Sequence, residues 1–187
     1  MRIELVIGDI TNQPDLDGVV NAAKQELTGG GGVDGAVHRA AGPELLDACL
    51  DVPVLKDTNG IRCPTGHAVV TDAFGMPNKK IIHTVGPVYK DMGSVVSPSY
   101  LRVAYINSIV MGVDAGCISI GFPAIGTGIY GYPLEDATIV AVKSVLELAP
   151  VNPNLLVRFV CFDESNFLVY NRVLEAAYCD WKKTYEF

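Results

Sequence analysis

Apolar and polar residues alternate from the start of the chain. Arg2-Ile3-Glu4-Leu5-Val6-Ile7 has the two-residue period of a strand, and predicts one over residues 3–8. A shorter apolar run predicts a second strand over 18–21. Four consecutive glycines, 29–32, then open a helix that reaches about residue 41. Pro43 suits a first helical turn and starts a helix over 44–50. Residues 67–73 and 80–85 read as a strand pair joined by the turn Gly75-Met76-Pro77-Asn78. After Ser97-Pro98 the period lengthens, with Leu101, Ala104, Tyr105 and Ser108 on one helical face and an end near Gly112 or Gly116. The continuous apolar run 117–123 predicts a strand buried on both faces. Pro133, with Glu135 and Asp136 in the first turn, starts a helix to about residue 149, and a last strand follows over 155–162. Tyr170, Val173, Leu174, Ala177 and Trp181 recur at helical spacing and predict a closing helix whose stripe packs on the sheet.

A strand-rich start followed by alternating strands and helices predicts a three-layer α/β/α domain with a central mixed sheet, a single domain over residues 1–187. With 49% apolar residues the chain can bury a full core, and 19% charged residues without a low-complexity tract argue against disorder. No apolar stretch approaches the roughly 20 residues of a membrane span, and the start lacks the apolar segment of a secretory signal. The expectation is a cytoplasmic protein with no membrane partner. The five cysteines are odd in number and dispersed through apolar segments, as free thiols are. The net charge of −7 repels polyanions and excludes a nucleic-acid polymer held by counterion release. A small anionic ligand must therefore be held locally, by backbone amides and helix ends.

Two loops supply such amides. Gly29–Gly32 runs into Val33-Asp34-Gly35 at a helix N-terminus, and Gly126-Thr127-Gly128-Ile129-Tyr130-Gly131 follows the buried strand. Two glycine-rich loops at the carboxyl edge of one sheet suggest a pyrophosphate held between them. Neither loop carries Gly-Lys-Ser/Thr or G-x-G-x-x-G in the required context, which disfavours a kinase or a dehydrogenase. Cys63 and His67 are too sparse for a metal site, and neither metal nor cofactor is expected.

Gly8-Asp9-Ile10-Thr11, Val20-Asn21-Ala22-Ala23, the run GGGGVDGAVHRAAG from Gly29 to Gly42, Cys63-Pro64-Thr65-Gly66, Ile82-His83-Thr84-Val85-Gly86-Pro87 and Phe122-Pro123-Ala124-Ile125-Gly126-Thr127-Gly128 together resemble a macrodomain of the MacroD type over nearly the whole chain. The resemblance implies binding of ADP-ribose and its esters, and action on mono-ADP-ribosylated proteins. It gives Asp9, assisted by the Ile10 amide, the adenine amino group, where a carboxylate suits a donor; a turn aspartate is the plainer reading. Phe162 is either a ring packed on the adenine or a core aromatic. The amides of Gly31, Gly32, Val33, Gly126, Thr127, Gly128, Ile129 and Tyr130 are implied to cradle the phosphates, with the Tyr130 ring against the distal ribose. Asn21 bonds that ribose or holds its loop.

Asp34 is the residue the resemblance places in catalysis, orienting or deprotonating a water alone or together with the substrate's α-phosphate. A helix N-terminus favours its charged form, and a capping aspartate is the alternative. His38, one turn later, reads as a packed wall residue. The chain departs from the family at Lys24, where relatives carry an asparagine. An ammonium donates but cannot accept, so Lys24 either clamps a phosphate or the ribose, or turns to solvent. The implied function is a hydrolase that removes ADP-ribose from acidic side chains or deacetylates O-acetyl-ADP-ribose, with Asp34, Asn21 and Lys24 at the reacting end. The alternatives are a non-catalytic ADP-ribose reader and an ADP-ribose 1″-phosphate phosphatase.

Overall fold

The computed structural model describes the backbone of residues 1–185 and the side chains of residues 1–177; Trp181 and Cys179 lie outside the described side chains. Six strands form one sheet: β1 (Arg2–Ile7), β2 (Gly18–Ala22), β3 (Ala68–Asp72), β4 (Lys80–Thr84), β5 (Ser119–Phe122) and β6 (Leu156–Cys161), in the order β1-β6-β5-β2-β4-β3. All neighbours run parallel except β3, which pairs antiparallel with β4. The sheet is mixed, and three layers follow from what covers its faces.

Alternate residues of each strand point to opposite faces. Val20, Ile82, Ile120, Phe122, Val157 and Phe159 form a core with helices α3 (Tyr89–Asp114), α4 (Leu134–Glu147) and α5 (Glu164–Tyr185), through which Tyr105, Phe122, Phe159 and Tyr170 pack ring to ring. Val19, Ile81, Val85 and Val160 form the opposite core with α1 (Gly32–Ala41) and α2 (Glu44–Asp51). Every residue of β5 is buried, as a strand covered on both faces requires. Tyr170 is buried, and Val173, Leu174 and Ala177 pack against the first core. Cys49, Cys63, Cys117 and Cys161 are buried free thiols. Among the described residues no helix is long and apolar enough to cross a membrane.

α3 differs from its expected start after Pro98. Helical backbone begins at Tyr89, Gly93 at φ 71° interrupts it, and Pro98 falls within the run that follows. Helical backbone thus starts nine residues before Pro98, and the interruption falls at Gly93, because only glycine adopts that φ without strain.

The five parallel strands end on one edge of the sheet. β2 lies between β5, reached by one crossover, and β4, reached by another, so the strand order reverses beside it. A crevice opens at such a point because the two connections leave toward opposite sides.

Candidate functional site

A cavity of about 360 Å³ lies in that crevice. Ala22, Ala23 and Lys24 leave β2 along its floor; Gly30, Gly31, Gly32, Val33 and Asp34 form one wall; Ala124, Ile125, Gly126, Gly128, Ile129 and Tyr130 form the other, with Gly86 after β4. The two glycine loops predicted to face one another do so. Ile129 is exposed, yet its Cδ1 lies 3.5 Å from where a Cβ on Gly31 would stand, so the loops approach to contact distance.

The glycines have separate reasons. Gly32 (φ 59°) and Gly126 (φ 82°) hold conformations that side chains strain. At Gly35 a Cβ would meet the Gly30 carbonyl oxygen at 2.3 Å, so helix and loop fit only without it. Gly128 has open space around it and an ordinary φ, so nothing within the protein demands glycine there. Among the described residues the amides of Gly32, Val33, Gly128, Ile129 and Tyr130 take no backbone acceptor outside their own helix, whereas Gly131 donates to the Gly128 oxygen and Tyr132 to the Gly126 oxygen, shaping the second loop. Unpaired amides at a helix N-terminus and along a tight loop are the donors an oxyanion needs. Thr127 does not line the cavity; its hydroxyl donates to the Ala124 oxygen at 3.0 Å and braces the loop.

Asp34 is buried at the cavity wall, in the first turn of α1. Its Oδ1 accepts from Asn21 Nδ2 at 2.8 Å, and His38 Nε2 stands 3.5 Å away on the next turn. The carboxylate is therefore held by a side chain from β2, and the helix-capping alternative finds no bond. Asn21 is fully buried and does not line the cavity. Its amide holds the Asp34 carboxylate. Lys24 is half-buried at the cavity and has no carboxylate within ion-pair distance among the described residues. The Tyr130 hydroxyl is pushed above its usual range by burial and then by the negative charges of Glu26 and Asp34.

Asp9, Ile10 and Phe162 lie outside the cavity, at the ends of β1 and β6, which pair through Ile7 and Cys161. Asp9 Oδ1 accepts from the Thr11 amide and hydroxyl at 2.8 and 2.7 Å, a turn bond that leaves its second oxygen unengaged. The Ile10 side chain is in the core and leaves only its amide to the outside. Phe162 is 83% exposed, which removes the core-aromatic reading: its β6 neighbour Cys161 takes the inward position. Gln13 ties this corner together, donating to the Asp9 oxygen at 2.9 Å and accepting from Arg158, which also binds Glu4 and Asp15.

The family model described as Macro domain matches residues 20–141, the span that carries both loops, Asp34 and β2 to β5. The chain belongs to the macrodomain family. This macrodomain is 49% identical over 176 residues to a protein of Escherichia fergusonii named O-acetyl-ADP-ribose deacetylase, covering 92% of this chain and 95% of the other. A Cronobacter turicensis protein of the same name is 48% identical, with 92% and 96% covered. Among solved structures, an Oceanobacillus iheyensis macrodomain with ADP superposes with a TM-score of 0.84 at 38% identity, covering 94% of this chain and 92% of that one. A Trypanosoma brucei macrodomain in complex with ADP-ribose gives 0.79 at 36%, covering 91% and 68%. The Oceanobacillus protein has also been solved with an asparagine and, ten positions further along, an aspartate each replaced by alanine.

The macrodomain site also contains residues that no local motif flagged as functional. His83 and Thr71 lie beneath Asn21, connected to it through the sheet. The signal was present only in register: His83 is the direct partner of Asn21 in the β2–β4 ladder, a pairing between residues 62 positions apart.

Proposed function

We propose that this macrodomain binds ADP-ribose esters along the edge from Asp9 to Asp34 and hydrolyses the ester at the distal ribose. The observation that carries this is the Asp34 carboxylate, fixed by Asn21 at the wall of a cavity whose two loops present unpaired amides. Those amides suit a diphosphate. The unengaged oxygen of Asp9 suits the adenine amino group, and exposed Phe162 beside it offers a ring face. Asp34 then takes a proton from a water whose oxygen attacks the acyl carbonyl. The acyl–oxygen bond to the ribose breaks, the ribose oxygen is protonated, and ADP-ribose leaves with a free carboxylic acid.

Acetate in O-acetyl-ADP-ribose and the carboxyl of a modified glutamate or aspartate are the same functional group, so one site serves both. The relatives named for the deacetylation support the first substrate. A second reading, a reader that binds without turnover, is favoured by Lys24, which stands ten positions before Asp34 where the Oceanobacillus relative's paired variants suggest an asparagine.

Single-turnover release of ADP-ribose from O-acetyl-ADP-ribose and from a glutamate-modified protein, with ADP-ribose binding by calorimetry, separates the readings. Hydrolysis predicts release by the parent, a loss of at least about 100-fold in Asp34→Ala, and retained binding. Tight binding without release, with release restored by Lys24→Asn, establishes the reader.

A further inference from the structure

Three polar side chains occupy the otherwise apolar sheet face that packs on α1 and α2. Thr71 on β3, His83 on β4 and Asn21 on β2 share the parity of Val69, Ile81 and Val19, all in that core. All three are buried, Asn21 and His83 completely. Polar groups in such a setting are costly unless bonded, and these form one chain. Thr71 Oγ1 is 3.0 Å from His83 Nε2, His83 Nδ1 is 3.1 Å from Asn21 Nδ2, and the same Nδ2 is 2.8 Å from Asp34 Oδ1.

The direction of the chain follows from donor chemistry. A side-chain NH₂ only donates, so His83 Nδ1 accepts and its proton resides on Nε2, donated to the Thr71 oxygen. The opposite tautomer would present a proton to Asn21 and turn its carbonyl toward the Asp34 carboxylate. Asn21 Oδ1 is buried with no partner, the cost of an amide whose two hydrogens are both claimed. Burial, followed by the charge of His38, pushes His83 down to about 3 and keeps the imidazole neutral.

We propose that His83, set as the Nε2–H tautomer by the donating Asn21 amide and with that proton received by the Thr71 oxygen, is a positioning residue for hydrolysis: its Nδ1 holds the Asn21 amide so that an N–H is always presented to Asp34. It touches no substrate. The inference rests on the hydrolase reading, and its test includes a measurement that needs no turnover.

His83→Leu removes the acceptor, His83→Gln restores one of similar reach, and Thr71→Val removes the oxygen that receives the Nε2 proton with little change of shape. The expected result is a single-turnover rate lowered at least tenfold in His83→Leu and several-fold in Thr71→Val, with ADP-ribose Kd within twofold of the parent. His83→Gln recovers most of the rate. In nitrogen-15 spectra of the full chain, His83 shows a protonated Nε2 and a bare Nδ1, and the Asn21 NH₂ protons exchange slowly in the parent and fast in His83→Leu.

A parent rate in His83→Leu, or an affinity and rate that fall together without rescue by glutamine, overturns the proposal. So does an Nδ1–H tautomer in the spectra, or an Asn21 amide equally protected in His83→Leu. A parent that does not turn over, yet shows the bare Nδ1 and an Asn21 amide that loosens in His83→Leu, defeats the hydrolase reading alone, leaving His83 as the group that orients the amide at Asp34.

Discussion

His83 is a base that the folded chain keeps unprotonated at about 3, against about 6.5 for an exposed imidazole. Between those values the unfolded chain binds a proton that the folded chain does not, so stability is full above pH 6.5 and falls as the pH drops. The slope is at most about 1.4 kcal/mol per unit. Urea unfolding should show a loss of about 1.6 kcal/mol from this group between pH 6.5 and 5, and the loss should be missing in His83→Gln. A parallel decline in both proteins would assign the pH dependence elsewhere. Phe162 makes the opposite case, a large aromatic that the fold does not use. Phe162→Ala should leave stability within about 0.5 kcal/mol and weaken ADP-ribose about fivefold, the equivalent of about 1 kcal/mol of ring contact. Calorimetry against the parent checks both numbers. The sequence left Phe162 divided between core and ligand because the last residue of a strand can face either way; burial of Cys161 decides it.

At the scale of elements, it was legible that the two glycine loops would face one another across one edge of the sheet, but the reason for each glycine was not. Glycines look uniform in sequence, whereas the structure separates those that the chain's own packing requires, such as Gly35, from those that it does not, such as Gly128. Gly35→Ala should gain up to about 1 kcal/mol of helix propensity and lose more to the Gly30 oxygen 2.3 Å from the new Cβ, lowering the melting temperature by several degrees. Gly128→Val, facing open space, should melt with the parent and bind ADP-ribose at least 100-fold more weakly. Thermal melts and calorimetry on the pair test this, and a Gly128→Val that melts early would show that the loop, not the ligand, requires glycine. Helix α3 was misplaced for a related reason: proline is a helix-start signal, but Gly93 and the hydrogen bond from the Tyr89 amide to the Tyr130 oxygen set where helical backbone begins. The polar chain under Asp34 was hidden because its members lie on three strands, and only the register brings them together.

For the whole molecule, periodicity revealed the layers and the mixed sheet, because burial on two faces and burial on one leave different patterns. It did not reveal strand order, which depends on pairings such as Arg2 with Leu156 across nearly the full chain. The net charge of −7 has its own consequence. ADP-ribose carries two phosphates toward a repelling field, so its association rate should rise modestly as salt is raised from 10 to 150 mM and screening sets in. Stopped-flow binding would show the reverse if cationic side chains dominated capture. The contact between Ile129 and the space above Gly31 makes the cavity a turnstile rather than a dish. If the proposed diphosphate sits between the two loops, that side chain lies across its exit, and Ile129 would govern how long product stays more than how tightly it is held. Ile129→Ala should quicken arrival and departure alike, leave the equilibrium constant nearly unchanged, and raise steady-state turnover wherever product release is the slow step.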